Sequence, residues 1–316
     1  ETVIRLLFAL MVFIIGVMGL QACHADNPPL TPPQTVTLHF GHQGVRDFYA
    51  YTHGKSEDYP KIMSFSGLYW HPPSLGTVNL KHFDSTTTIP HVFSATGVKK
   101  DNRTDGIGAI LMSAGLSQAE FVTQEQAYQD YVALITAFKK AGWQHYFEPQ
   151  HARIAKEDNV KILTYDNPDD VPDDRYVLYT GFSSDSLTPL TFEEWRQVIE
   201  EQQPYRLDLN LNLYLRDVTL WLKIEKTNNT KPNPIPNQPE LEQYMVRLTF
   251  YTTKYEFYRD IRGDTIEELK QDYDENQERD KSTRQDYETR AKNAGFRINE
   301  DYQDPDMWQY IIEPAY

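Results

Sequence analysis

The residues with the best spacing for nucleophilic chemistry are Gly181-Phe182-Ser183-Ser184-Asp185, which approach the Gly-x-Ser-x-Gly motif of serine hydrolases. That motif needs its second glycine because strand and helix pack closely around the serine. Here Asp185 takes that place, and the chain continues into Leu187-Thr188-Pro189-Leu190, which is typical of a linker. We therefore interpret Ser183 as part of an interdomain loop and predict no catalytic residue.

Histidines are the next group that could carry chemistry, as metal ligands. The chain has nine histidines. One is His24, and the other eight also lie in the first half of the chain, at positions 39, 42, 53, 71, 82, 91, 145 and 151. No pair has the His-Glu-x-x-His spacing that places two imidazoles on one side of a zinc ion. His39 and His42 are three positions apart, so a strand would point them to opposite faces. We predict neither a metal site nor a cofactor.

An acidic, proline-interrupted loop is the third candidate. Its carboxylates are Asp166, Asp169, Asp170, Asp173 and Asp174. Closely spaced oxygen ligands are what Ca²⁺ prefers, but the spacing lacks the glycine and the final glutamate of an EF-hand. We interpret the loop as solvated, with calcium binding as the alternative, and include its aspartates from 169 to 174 among the candidate contacts to a basic partner.

Aromatic side chains are abundant, with 21 Tyr and 5 Trp in 316 residues. Tyr and Trp contribute much of the binding energy in protein interfaces. Tyr214, Tyr251 and Tyr255 lie on or near predicted strands whose other face is apolar. We therefore predict these three tyrosines as candidate partner-binding residues.

The one cysteine, Cys23, follows an apolar stretch from Leu6 to Leu20. That stretch is shorter than the roughly 20 residues needed to cross a bilayer and is typical of a signal-peptide core. Leu20-Gln21-Ala22-Cys23 resembles the lipobox of Gram-negative bacterial lipoproteins. The resemblance implies a signal peptide over 1–22 and a lipid on Cys23. It also implies an envelope location facing the periplasm, and His24 after the cysteine favours the outer membrane. The alternative is a short N-terminal anchor with an incidental cysteine.

The elements that must position these residues begin after a proline-rich tether over 23–34. Alternating or apolar runs predict strands over 35–40, 62–70, 107–112, 160–165 and 176–180. A helix is predicted over 124–141, because its apolar residues recur at helical spacing and Gly142 can end it.

The second half is predicted to contain a helix capped by Thr191 and Glu194 and then three strands. The clearest of them places leucines at 207, 209, 211, 213 and 215, so that all five point to one face. Strands over 218–224 and 244–258 follow, separated by a proline- and asparagine-rich loop over 228–239. A long charged helix over 264–294, interrupted near Lys281-Ser282-Thr283, is predicted to end at Gly295.

These elements predict an α+β fold with a first domain over 35–186 and a second over 187–316. Both predicted helices end in glycine followed by an aromatic residue, Gly142-Trp143 and Gly295-Phe296. Duplication of one sheet-plus-helix unit is one explanation. The other is that a common helix ending arose twice.

The net charge of −15 disfavours binding to nucleic acid and to anionic lipid headgroups, and it favours a basic protein partner. In kind, the chain resembles periplasmic immunity lipoproteins of type VI secretion. The resemblance implies binding and neutralisation of a secreted toxic effector, with the membrane contacted through the lipid on Cys23. A lipid-anchored envelope hydrolase and a structural or assembly lipoprotein are the alternatives.

Overall fold

The computed structural model describes residues 31–59, 63–101, 103–165, 181–201, 207–231, 237–258 and 265–312. Ten strands lie in these ranges: β1 Thr35–Leu38, β2 Glu57–Tyr59, β3 Met63–Tyr69, β4 Gly76–His82, β5 Ser85–Lys100, β6 Ile107–Gly115, β7 Gln144–His145, β8 Leu207–Leu215, β9 Val218–Lys231 and β10 Leu241–Thr252. The helices are α1 Gly41–Thr52, α2 Gln124–Lys140, α3 Asn159–Leu163, α4 Phe192–Glu201, α5 Thr253–Phe257, α6 Ile266–Asn293 and α7 Trp308–Ile312. The fold is α+β, as the sequence predicts.

All ten strands belong to one mixed sheet, ordered β1-β4-β5-β6-β10-β9-β8-β7, with β3 pairing β5 and β2 pairing β3. The pair β1–β4 is parallel, and the other pairs are antiparallel. Strand β6, before the predicted domain boundary at 186/187, pairs directly with β10, after it. The two predicted segments therefore share a sheet, and residues 32–316 group as one compact unit.

One face of this sheet forms the main core. A transverse row shows why, since six residues from six adjacent strands are at most 2% exposed: Leu68, Ala95, Met112, Leu248, Leu222 and Leu211. Helices α1, α2 and α4 contribute Phe48, Phe138 and Trp195 to the same core. The predicted leucine face of β8 is confirmed, because Leu209, Leu211 and Leu213 are buried.

Helix ends follow the predicted chemistry. The capping box of α4 is present, since Thr191 N donates to Glu194 Oε2 at 2.7 Å and Glu194 N donates to Thr191 Oγ1 at 3.3 Å. Gly142 and Gly295 both adopt positive φ, at 90° and 80°. After each glycine the aromatic N–H donates back into the helix, Trp143 to Phe138 at 3.2 Å and Phe296 to Ala291 at 2.9 Å. The segments after the two helix ends differ. The one after Gly142 forms β7 of the main sheet, whereas the one after Gly295 forms only an isolated bridge through Ile298.

Several predicted elements are wrong. Residues 160–165 are not a strand. They overlap helix α3, in which the adjacent residues Ile162 and Leu163 are both buried, each against a different apolar cluster. Strand β10 ends at Thr252, whose side chain accepts from Tyr255 N and starts α5, so Tyr255 lies on a helix. Helix α6 has no interruption near 282: it is continuous over Ile266–Asn293, and Thr283 Oγ1 donates to Arg279 O within it.

Other boundaries also differ from the prediction. Strand β9 extends to Lys231, where it still pairs with Leu241, so the first part of the predicted 228–239 loop is strand. The sequence patterns also missed α1, β4 and β5. The predicted strand over 176–180 lies outside the described residues. Within the described ranges no helix has the length and apolar character required to cross a bilayer.

Candidate partner-binding surface

The predicted site residues divide into two groups. Cys23, Asp169, Asp170, Asp173 and Asp174 lie outside the described residues. Tyr214, Tyr251 and Tyr255 lie within them, and the structure places all three on the side of the sheet that faces away from the main core. We call this side the polar face.

The polar face follows from strict alternation along neighbouring strands. Opposite the buried row of the core runs a row in which each residue pairs with the next: Gly67, Thr96, Leu111, Thr249, Trp221 and Asn212. Three of the six, Thr96, Thr249 and Asn212, have short polar side chains. An antiparallel sheet commonly has one such face in contact with solvent, because one buried face is sufficient for its core.

Three large side chains stand out on this face. Tyr69 on β3 is 55% exposed, Trp221 on β9 is 39% exposed, and the Arg247 side chain on β10 is 52% exposed. Strands β3 and β9 are four strand spacings apart, which corresponds to about 19 Å. One macromolecular interface of ordinary size can therefore cover all three residues.

Hydrogen bonds and ion pairs fix the orientation of two of them. Trp221 Nε1 donates to Asn210 Oδ1 at 3.0 Å, so the indole is held against β8. Arg247 Nε lies 2.8 Å from Glu225 Oε2, and Lys223 Nζ lies 3.2 Å from Glu225 Oε1. Two cations face one carboxylate, so this group has a net charge of +1. The ordering of these side chains reduces the entropy that is lost when a partner binds.

The predicted tyrosines Tyr251 and Tyr255 form the next part of the polar face. Their rings stack at 5.7 Å with an interplanar angle of 9°. Lys100 Nζ lies 4.5 Å from the centre of the Tyr255 ring and donates to Tyr255 O at 2.9 Å. A Cβ on Gly108 would lie 2.5 Å from Tyr255 Cδ2, so glycine is needed for this close approach. Both tyrosines are half-buried and attach α5 to the sheet.

Tyr214 lies at the β8 end of the same face. Its hydroxyl donates to Gln144 Oε1 at 2.8 Å, and its ring meets that of Tyr146 edge to face at 5.9 Å. Burial, with a smaller effect from nearby Tyr310, raises the pKa of Tyr214. The structure therefore brings the three predicted tyrosines onto one surface. The large side chains that are most exposed there, Tyr69, Trp221 and Arg247, were not predicted from the sequence.

A small cavity of about 40 Å³ lies beside this end of the sheet. Its lining includes His151, Ser183 and Ser184. Ser183 Oγ donates to Asn159 Oδ1 at 3.0 Å and accepts from Asp185 N at 3.1 Å. The hydroxyl of Ser183 is therefore engaged on both sides. The cavity has room for only a few water molecules.

His151 is the imidazole in that cavity. Burial lowers the pKa of His151, opposed by Glu148, whose Oε2 lies 3.6 Å from His151 Nε2. A neutral imidazole at neutral pH can accept a proton. The chemistry available here is thus proton transfer from a small polar molecule to His151, and the Ser183 hydroxyl is directed to Asn159.

Two further histidines pair with carboxylates. His39 Nδ1 lies 2.7 Å from Asp47 Oδ2 at the start of α1, and His82 Nε2 lies 2.8 Å from Asp217 Oδ1 in the core. Among the described residues, no group of three or more histidines, cysteines and carboxylates is arranged to hold a metal ion.

Comparison of the chain with protein-family models, with curated proteins and with solved structures found no match.

Tyr69, Trp221 and Arg247 are the candidate contact residues that sequence reasoning missed. The position of Trp221 could have been predicted from the sequence. It lies between Leu220 and Leu222 on β9, and because successive side chains on a strand point to opposite faces, it must face away from the core if the two leucines face toward it. The position of Tyr69 could not have been predicted, since it depends on the pairing of β3 with β5, which no local pattern indicates.

Proposed function

We propose that this protein is a periplasmic lipoprotein, anchored through a lipid on Cys23, that binds a toxic effector protein and neutralises it. The observation that carries the binding part is the polar face, where Tyr69, Trp221 and Arg247 are exposed. Tyr, Trp and Arg are the residue types most often found to dominate binding energy in protein interfaces. The lipobox-like Leu20-Gln21-Ala22-Cys23 supports the anchor.

Charge and aromatic contacts have separate roles in this proposal. The net charge of −15 accelerates encounter with a basic effector through long-range attraction. The group around Glu225 on the polar face has a net charge of +1, which does not attract a basic partner, so contact there depends on the rings of Tyr69 and Trp221. Association is then salt-dependent, whereas dissociation is governed by aromatic burial. Occlusion of the effector's active site by this surface would neutralise it.

The experiment is a pull-down from lysate with the protein lacking its signal peptide and tether, residues 1–34. Stoichiometric recovery of one basic secreted protein supports the proposal. Trp221→Ala and Tyr69→Ala should each weaken binding by at least tenfold, the scale of a hot-spot residue. Tyr49→Ala is the matched control, because Tyr49 is 68% exposed on α1, which packs on the opposite side of the sheet.

Protection in cells tests neutralisation separately. Coexpression of the full chain should rescue cells that receive the recovered effector in the periplasm, and Trp221→Ala should reduce the rescue. Recovery of envelope assembly proteins in place of an effector would favour the assembly lipoprotein. Equal binding by Trp221→Ala, Tyr69→Ala and the parent would remove the polar face from the proposal.

A lipid-anchored hydrolase is the second candidate, because the cavity brings His151, Ser183 and Ser184 together. We rank it lower on the geometry, since Ser183 Oγ bonds Asn159 and the cavity has room for only a few water molecules. Loss of hydrolysis of purified envelope material in Ser183→Ala, with unchanged stability, would reverse this ranking.

A further inference from the structure

The C-terminal segment, residues 284–304, packs through a core of its own. Among the described residues this core has four buried members, Ile154, Ile162, Ala291 and Phe296, and four partly buried ones packed against them, Ala152, Tyr165, Ala294 and Ile298. It is separate from the main core, to which 39 buried residues of the described ranges belong. Few buried apolar contacts are typical of a region that opens at a lower free energy than the rest of the molecule.

Arg284 on α6 is the central contact of this segment, with its side chain only 6% exposed. Its guanidinium forms two bonds with Asp304, Nη1 to Oδ2 at 2.5 Å and Nη2 to Oδ1 at 3.0 Å. It also donates to two backbone carbonyls of the neighbouring residues 148–151, Glu148 O at 3.0 Å and His151 O at 3.1 Å. We call this contact region between 284–304 and 148–158 the junction. One side chain therefore connects α6, the chain after it and the segment 148–151.

Two more Arg–carboxylate pairs cross the same junction. Arg153 donates to Glu288 through Nε at 2.7 Å and through Nη2 at 3.1 Å. Burial alone would raise the pKa of Glu288, but the hydrogen bonds from Arg153 outweigh it and lower the pKa. Arg297 Nη2 lies 2.5 Å from Asp158 Oδ1. Three Arg–carboxylate pairs therefore hold the segment in place.

Backbone contacts complete the attachment and are few. Ile154 and Ile298 form an isolated antiparallel bridge, flanked by Ala155 N to Arg297 O at 2.8 Å and Asn299 N to Arg153 O at 2.6 Å. This pairing lies outside the ten-stranded sheet.

Both ends of the segment are held elsewhere. Tyr273 lies in the part of α6 that precedes the segment. Its ring centre is 5.9 Å from that of Phe257 and 5.4 Å from that of Trp308. Trp308 follows the segment in the chain. The described cavity lies at the junction itself, lined by Tyr287 of α6 and by Tyr146 and Asn212 on the sheet side. Packing is therefore incomplete where the segment meets the sheet.

We propose that residues 284–304 are a latch, which opens as a unit while the main sheet stays folded and its two ends stay attached. Opening separates Arg284 from the carbonyls of Glu148 and His151 and exposes the cavity, including Tyr146 and Asn212. The surface at the β7–β8 end of the sheet then changes for any macromolecule that meets it. This inference does not depend on the proposed function.

Hydrogen exchange read by mass spectrometry tests the latch on the full chain in mild detergent. In the parent, amides of residues 286–299 should exchange at a lower opening free energy than those of β8, β9 and β10, and with weaker dependence on urea. Arg284→Met should reduce protection of residues 286–299 roughly hundredfold, because it removes the donor from a buried network. The protection of β8–β10 should not change.

Lys292→Met is the matched control on the same helix, since Lys292 and its partner Glu300 are both largely exposed. It should change protection by no more than about twofold. Exchange of residues 286–299 together with β8–β10 in the parent, at one free energy and one urea dependence, would overturn the latch. An equal loss of protection over the whole chain in Arg284→Met would do the same. If Arg284→Met does not fold, the parent measurement decides.

Discussion

His145 makes the stability of this protein dependent on pH in a way that can be calculated. Its Nδ1 accepts the Ser186 N–H at 3.1 Å and lies 2.9 Å from Ser186 Oγ. Its Nε2 is buried with no hydrogen-bond partner among the described residues, and its ring meets Phe147 edge to face at 4.4 Å. A proton on Nδ1 would place two donors against each other and a charge in an apolar setting. Burial, opposed by Asp185, lowers the pKa of His145 from 6.5 to about 4.

The sign follows from the two protonation equilibria. Between pH 6.5 and about 4 the unfolded chain holds a proton on this residue that the folded chain does not. Stability is therefore complete above pH 6.5 and falls as the pH decreases toward 4. The full difference is about 3 kcal/mol at about 1.4 kcal/mol per pH unit, of which about 2.5 kcal/mol is lost between pH 7.5 and 4.5.

The assay is urea unfolding at constant ionic strength, at four pH values from 7.5 to 4.5, for the parent and for His145→Asn. The asparagine oxygen can still accept the Ser186 N–H but does not titrate, so this variant should lose about 2.5 kcal/mol less than the parent over that range. Carboxylates and His151 titrate in both proteins and cancel in the comparison. His42→Asn, at an exposed position on α1, should follow the parent. Parallel curves for the parent and His145→Asn would refute the reasoning.

Two further predictions concern the anchor and the core. Cys23→Ser should leave an unlipidated precursor, so membrane fractionation with mass spectrometry should find it lacking the lipid; normal membrane partition of that variant would argue against the lipobox. Leu211→Ala should lower the free energy of unfolding by about 2–5 kcal/mol, because Leu211 is 1% exposed and pairs with Leu222 in the core, and Leu211→Asp should prevent folding. Urea midpoints equal to that of the parent would show that the β8 register is wrong.

Local chemistry predicted much of the fold. The leucine alternation of β8, the capping box at Thr191 and the glycine ends of α2 and α6 each depend on neighbours within a few residues. Such signals are fully contained in the sequence. Where the signal was short or mixed, prediction failed. Residues 160–165 are apolar in a pattern that fits either strand or helix, and α1 buries only small residues besides Phe48.

The arrangement of the sheet could not be read from local patterns. Nothing in the sequence of β6 indicates that it pairs with β10, so the interleaving of the two predicted segments became visible only in the structure. The candidate site shows the same division. Tyr214 and Tyr251 were predicted from alternation on single strands. Tyr69 joins them only because β3 pairs with β5, and β5 with β6.

The position of β10 in the middle of the sheet has a consequence for biogenesis. Met112 and Leu248 face each other across β6 and β10 although they are 136 positions apart in the chain. During synthesis from the N-terminus, β6 must wait until β10, Leu241–Thr252, has been made before this edge is paired. Contacts of such long sequence separation slow folding, and an unpaired apolar edge invites aggregation. Folding in the cell should therefore benefit from chaperones that shield the edge of β6 until β10 is available to pair with it.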